Sequence, residues 1–156
     1  MPILSADDLP FQPSSDAFFG SELLVAQRDR GEAAQVSVTF VQAEIAYADL
    51  PDGGFDLVSA FYPALRRTPD HRNERALLAA VKPGGELLMV HHETIDREQA
   101  LAHGFDPDDY LGVSHVRELA GDDFEVVKSE VRIRTITGGR GIDYIDDAVL
   151  RLRRLS

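Results

Sequence analysis

The spacing of hydrophobic and polar residues changes character near Val36. Upstream, prolines at 2, 10 and 13, the pair Ser14-Ser15 and weak periodicity predict an irregular arm over residues 1–35. One stretch of it, Asp16 to Arg30, is compatible with a helix. Phe18, Phe19, Leu23, Leu24 and Ala26 fall near helical spacing, Ser15 or Asp16 is placed to cap the start, and Gly31 to end it. From Val36 the punctuation becomes regular and predicts an α/β domain over residues 36–156.

In that domain Val36-Ser37-Val38-Thr39-Phe40-Val41 reads as a strand ending near Glu44 or Ile45. After the turn Asp52-Gly53-Gly54, the short apolar run Phe55 to Phe61 suits a strand buried on both faces. Asp70 to Lys82 groups Leu77, Leu78 and Val81 on one helical side, with Pro83-Gly84-Gly85 as a stop, and Glu86 to His92 gives a further strand. A strand, helix, strand order with short joints implies parallel neighbours. Val113, Val116, Leu119 and Ala120 recur at helical spacing before Gly121. Phe124 to Ile136 and Asp143 to Leu152 then flank Thr137-Gly138-Gly139-Arg140-Gly141, the pattern of an antiparallel hairpin. The sum is a mainly parallel sheet of five strands with a C-terminal antiparallel hairpin and three or four helices.

Charge narrows the partners. With 16 basic and 27 acidic residues the net charge is −11, a field that repels phosphate backbones and anionic lipid, so neither nucleic acid nor a membrane surface is an expected partner. The cluster Arg151, Arg153 and Arg154 reads as solvated residues of a terminal strand. The absence of cysteine excludes thiolate zinc sites, thiol nucleophiles and disulfides. An acidic, proline-broken start and short apolar runs point to a cytoplasmic protein.

His91 and His92 end a strand at the edge where open α/β sheets place ligands, and are the candidate general bases. As strand neighbours they point to opposite faces, which disfavours a shared metal ion, and none is expected. Asp106, Asp108 and Asp109 lack the glycine and distal glutamate of a calcium loop and read as helix-start or loop carboxylates. Gly138 to Gly141 joins two strands, which favours a hairpin turn over a phosphate cradle. Asp146-Asp147 reads as an interruption of the last strand, a bulge or a turn toward solvent.

The run from Ala48 through Phe55-Asp56-Leu57-Val58 to Tyr62, followed by Leu77 to Leu88 with its Lys82-Pro83-Gly84-Gly85, resembles class I S-adenosylmethionine-dependent methyltransferases. In that family an FDLV strand, a helix and KPGG lead into the next strand. Gly104 to Leu111 and Asp123 to Val127 are similar to the small-molecule methyltransferase-like proteins of actinobacteria. The resemblance implies a Rossmann-like fold and S-adenosylmethionine as cofactor. It puts Glu44 and Ile45 where the family holds the adenine amine and ring edge, and Ala60, Phe61 and Tyr62 where it lines the methionine end. The family's opening strand and glycine-rich loop find no match: Gly20 and Gly31, the only glycines before Val36, follow no strand-like run. Two readings follow, a small-molecule methyltransferase or a non-catalytic remnant that serves as a binding or interaction module. Without the missing unit a sheet edge or apolar face is left open, for which pairing two copies as a homodimer is the simplest remedy.

Overall fold

The computed structural model of the chain describes residues 43–50, 54–135 and 144–156. The helix expected over Asp16 to Arg30, the run Val36 to Val41 and the turn Thr137 to Gly141 lie outside the described residues. Four strands make one sheet in the order β1-β2-β4-β3, where β1 is Phe55–Phe61, β2 Val81–His92, β3 Phe124–Ile133 and β4 Asp146–Arg154. β1 and β2 run parallel on either side of helix α1 (Arg72–Ala79). β3 and β4 pair antiparallel, with β4 inserted between β2 and β3. The sheet is thus mixed, with a parallel start and an antiparallel hairpin, as the sequence predicts. Helices α2 (Arg97–Ala102) and α3 (Val113–Ala120) fill the path from β2 to β3.

Alternation along β2 builds the core. Leu87 and Met89 are fully buried and pair in register with the buried Leu152 and Leu150 of β4. Leu77 and Leu78 of α1 and Val116 and Ala120 of α3 belong to the same cluster. On β1 this pattern corrects the expectation of burial on both faces. Ala60 is buried and Val58 half-buried, whereas Leu57 is 56% and Phe61 58% exposed. The clustered residues of α1 and α3 pack with the Ala60 side of β1, which leaves Leu57 and Phe61 on the opposite side.

The KPGG segment also departs from expectation. Helix α1 ends at Ala79, and Val81 and Lys82 open β2. Phe55 N–H donates to the Ala80 carbonyl and Phe55 pairs with Val81, which draws the chain out of the helix. The parallel register then jumps from Phe55↔Val81 to Leu57↔Glu86, and Pro83, which has no N–H for a ladder, sits within that irregularity. A Cβ on Gly85 would lie 2.8 Å from the Phe55 carbonyl oxygen and 2.9 Å from that of Lys82. The second glycine is therefore required by close backbone approach.

Other charged groups have structural duties. Glu86 of β2 receives Arg151 at 2.8 and 2.9 Å and Arg153 at 3.0 Å, and Arg154 donates to the Val81 carbonyl at 2.6 Å, so the arginine cluster staples the sheet. Arg97 bridges Asp106 and Asp108, and Asp106 caps the turn Pro107–Asp109, which gives these carboxylates their loop role. Glu74 is buried on α1, with Oε1 3.3 Å from His71 Nδ1 and no partner for Oε2.

Two substitutions test this account by chemical denaturation. Leu87→Ala is expected to lower stability by about 2–5 kcal/mol through lost burial and a residual cavity. Gly85→Ala is expected to cost about 1–3 kcal/mol, since the new methyl meets backbone carbonyls rather than flexible side chains. An alanine at position 85 with unchanged stability would contradict the close approach.

Candidate functional site

At the C-terminal ends of β1 and β2 the backbone makes an unusual turn. Tyr62 takes a left-handed φ of 49°, and its N–H donates to the Val90 carbonyl at 2.8 Å. The turn lays the Tyr62 ring against His92, with centroids 4.6 Å apart. Tyr144, just before β4, stacks on the same imidazole at 3.7 Å and 6° between planes. Across the β2–β4 ladder His92 faces Asp147. His92 Nδ1 is 3.2 Å from Asp147 Oδ1, Tyr62 OH donates to Asp147 Oδ2 at 2.9 Å, and Arg134 Nε lies 3.4 Å from that same oxygen.

A carboxylate only accepts, so Nδ1 of His92 carries the proton and Nε2 keeps a lone pair, with no hydrogen-bond partner among the described residues. Burial pushes the His92 pKa below its ordinary 6.5, Asp147 pulls it back in part, and Arg134 and His91 oppose Asp147. The imidazole is therefore neutral at pH 7, with its tautomer set by Asp147. Burial, then the hydrogen bond and charge of Asp147, raise the Tyr62 phenol, which stays protonated. The arrangement has the elements of a general base: a neutral imidazole, an orienting carboxylate and a bare nitrogen.

The predicted site residues are partly brought together. Tyr62 and His92 touch, while His91 faces the other side of the sheet, paired with Ala148. Glu44 is exposed and starts the turn Ile45–Tyr47, and Ile45 packs against the cluster containing Ala60. Phe61 is solvent-facing, as Leu57 is. Asp146 and Asp147 do not interrupt β4 but open it in regular register with Ile133 and Arg132, because both carboxylates have local donors, Asp146 from Thr94 at 2.8 Å. Asp147, Tyr144 and Arg134 are the members that sequence reasoning missed. Asp147 stands 55 positions from His92, and no local pattern announces such a pair. Among the described residues no group of three or more His, Asp or Glu is placed to hold a metal ion, and no helix is long and apolar enough to cross a membrane.

The sign of the His92 shift gives a titration test. Folding disfavours the proton on this ring, so its contribution to stability is complete above about pH 6.5 and is lost as pH falls through the lower folded value. In an NMR titration His92 is expected to have a midpoint below 6.5. Asp147→Asn is expected to lower it further, since Asp147 is the group that raises it; a rise in that variant would refute the assigned pair.

No family model matches the chain, and no curated protein matches its sequence. Solved structures do. A putative methyltransferase from Bacillus halodurans superposes with a TM-score of 0.60 at 12% identity, over 86% of this chain and 79% of that one. The N-methyltransferase NodS from Bradyrhizobium japonicum, in complex with S-adenosyl-L-homocysteine, gives 0.58 at 15% identity, over 84% and 62%. The [4+2]-cyclase SpnF gives 0.56 at 18%, over 86% and 62%. The chain thus spans less than two thirds of the length of NodS and SpnF. The strand order, parallel crossover and C-terminal hairpin make a Rossmann-like fold, which this chain shares with these methyltransferase structures.

Proposed function

We propose that this protein is a cytoplasmic methyltransferase-like protein that takes S-adenosylmethionine at the C-terminal ends of β1 and β2 and acts on a small molecule. The observation that carries the reading is the neutral, Asp147-oriented His92 at the sheet edge where this fold places its ligands. The described residues fit the adenosine half of the cofactor. Glu44 offers an exposed carboxylate for the adenine amine and Ile45 an apolar surface for the ring edge, while Phe61 and Tyr62 offer aromatic faces at the methionine end. The glycine-rich loop that approaches the methionine half in this family finds no match in the sequence. When bound, the cofactor supplies an electrophilic methyl group. This chain's part is to orient the acceptor and, through His92 Nε2, to take a proton from its O–H or N–H. NodS, seen with S-adenosylhomocysteine, supports the cofactor, and the resemblance to actinobacterial small-molecule enzymes supports the substrate class.

Calorimetric titration with S-adenosylmethionine and S-adenosylhomocysteine tests this. Saturable one-site binding is expected, with Glu44→Ala weakening it roughly tenfold, the scale of a hydrogen bond to a charged group. Absence of heat at roughly millimolar ligand, a regime of only about 4 kcal/mol of binding, would rule the cofactor out.

A second reading, a non-catalytic dimeric module, is favoured by the apolar side chains on β1. Among the described residues β1 pairs with β2 alone, and it exposes Leu57 and Phe61. On this reading two copies meet across β1. Sedimentation velocity is expected to give a dimer for the unmodified chain and a monomer for Leu57→Asp with Phe61→Asp. A monomeric unmodified chain would dismiss it.

A further inference from the structure

We propose that the cavity at the end of β2, on the helix-covered face of the sheet, binds a small neutral ring compound that presents a hydrogen-bond donor beside an acceptor. The inference rests on two imidazole tautomers and goes beyond the cofactor reading, on which it does not depend.

The cavity encloses about 250 Å³, and Phe105, Tyr110, Leu111 and Val113 give it apolar walls. Phe105 and Tyr110 form a tilted pair with centroids 4.7 Å apart. His91, His92, Glu93, Ser114 and His115 supply its polarity, and two of these histidines, His91 and His115, have Nδ1 engaged by the backbone. His91 lies two positions beyond the buried Met89 on the same side of β2 and so continues the core face toward α3. His115 is on the first turn of α3.

Each ring is locked by its Nδ1, in opposite senses. The Gly112 N–H, which can only donate, lies 2.9 Å from His115 Nδ1. That nitrogen therefore accepts, and the His115 proton sits on Nε2. His91 Nδ1 is 3.2 Å from the His92 carbonyl oxygen, which can only accept. Here Nδ1 carries the proton, and Nε2 keeps the lone pair. Among the described residues neither Nε2 has a partner, and neither is sealed from solvent, since Glu74 Oε2 is the only buried side-chain polar atom without one. With these tautomers His115 offers the pocket an N–H donor and His91 a nitrogen acceptor, beside the Phe105 and Tyr110 rings.

Such a pair discriminates by complementarity. A ligand with N–H or O–H beside a carbonyl or ring nitrogen satisfies both histidines, while one lacking either group strands a desolvated partner. The volume, at the small end for ligand sites, suits a single ring.

The probe is 2-pyridone, whose ring N–H adjoins its carbonyl, titrated into the full chain and followed by nitrogen-15 NMR of the histidine side chains, with toluene as the apolar control. Expected are opposite tautomers for His91 and His115, saturable shifts of both, and 2-pyridone affinity at least tenfold above that of toluene. His115→Asn, which keeps an acceptor for Gly112 N–H but has no donor at the Nε2 position, and His115→Ala are each expected to lose binding tenfold or more. Identical tautomers in the unmodified chain, 2-pyridone no tighter than toluene, or full affinity in a folded His115→Ala would each overturn the proposal. The first two outcomes need no variant to fold.

Discussion

The antiparallel ladder from Glu86↔Arg153 to His92↔Asp147 is the constraint on which the rest depends. It sets Leu87 against Leu152 and Met89 against Leu150 on the core face. On the other face the same register sets Glu86 beside Arg151 and Arg153 and delivers Asp147 to His92. A slip by one residue would turn the leucines outward and place Asp146 or Ala148 opposite His92. Burial of the aliphatic pairs thus specifies the polar pairing at the strand end.

Much of the fold was legible because it is written in short-range pattern. The FDLV run, the apolar stripe of α3 and the alternation around the final turn all lie within one element, and each matches an observed one. What failed was decided at long range. Val81 follows a helical stripe but is claimed by Phe55, and only the three-dimensional approach of two carbonyls explains Gly85. Helix α2 is six residues long and was not separable from loop; it is held by the Asp96 cap, whose side chain accepts from Gln99 N–H at 3.0 Å. The candidate site was half legible. His91 and His92 announce themselves as a pair at a strand end, but Asp147 and Tyr144 reach His92 only after the sheet has formed.

The likeness to both an N-methyltransferase and a [4+2]-cyclase shows how little a backbone alone commits. In this chain Tyr62, His92, Tyr144 and Asp147 cluster at one end of the sheet. The backbone strain there is concentrated at Tyr62, whose left-handed φ costs on the order of 1–3 kcal/mol and is offset by the contacts of its ring and hydroxyl.

The order of the strands in space also bears on the order of events in time. β4 follows β3 in the chain yet lies between β3 and β2. While the polypeptide is being synthesised, β1, α1 and β2 can assemble from neighbouring segments, but β3 has no place in the sheet until β4 has left the ribosome. During that interval the Leu87 and Met89 edge is bare, and a competing strand from another nascent chain could occupy it. The speed at which the hairpin closes therefore sets how long that edge stays unpaired.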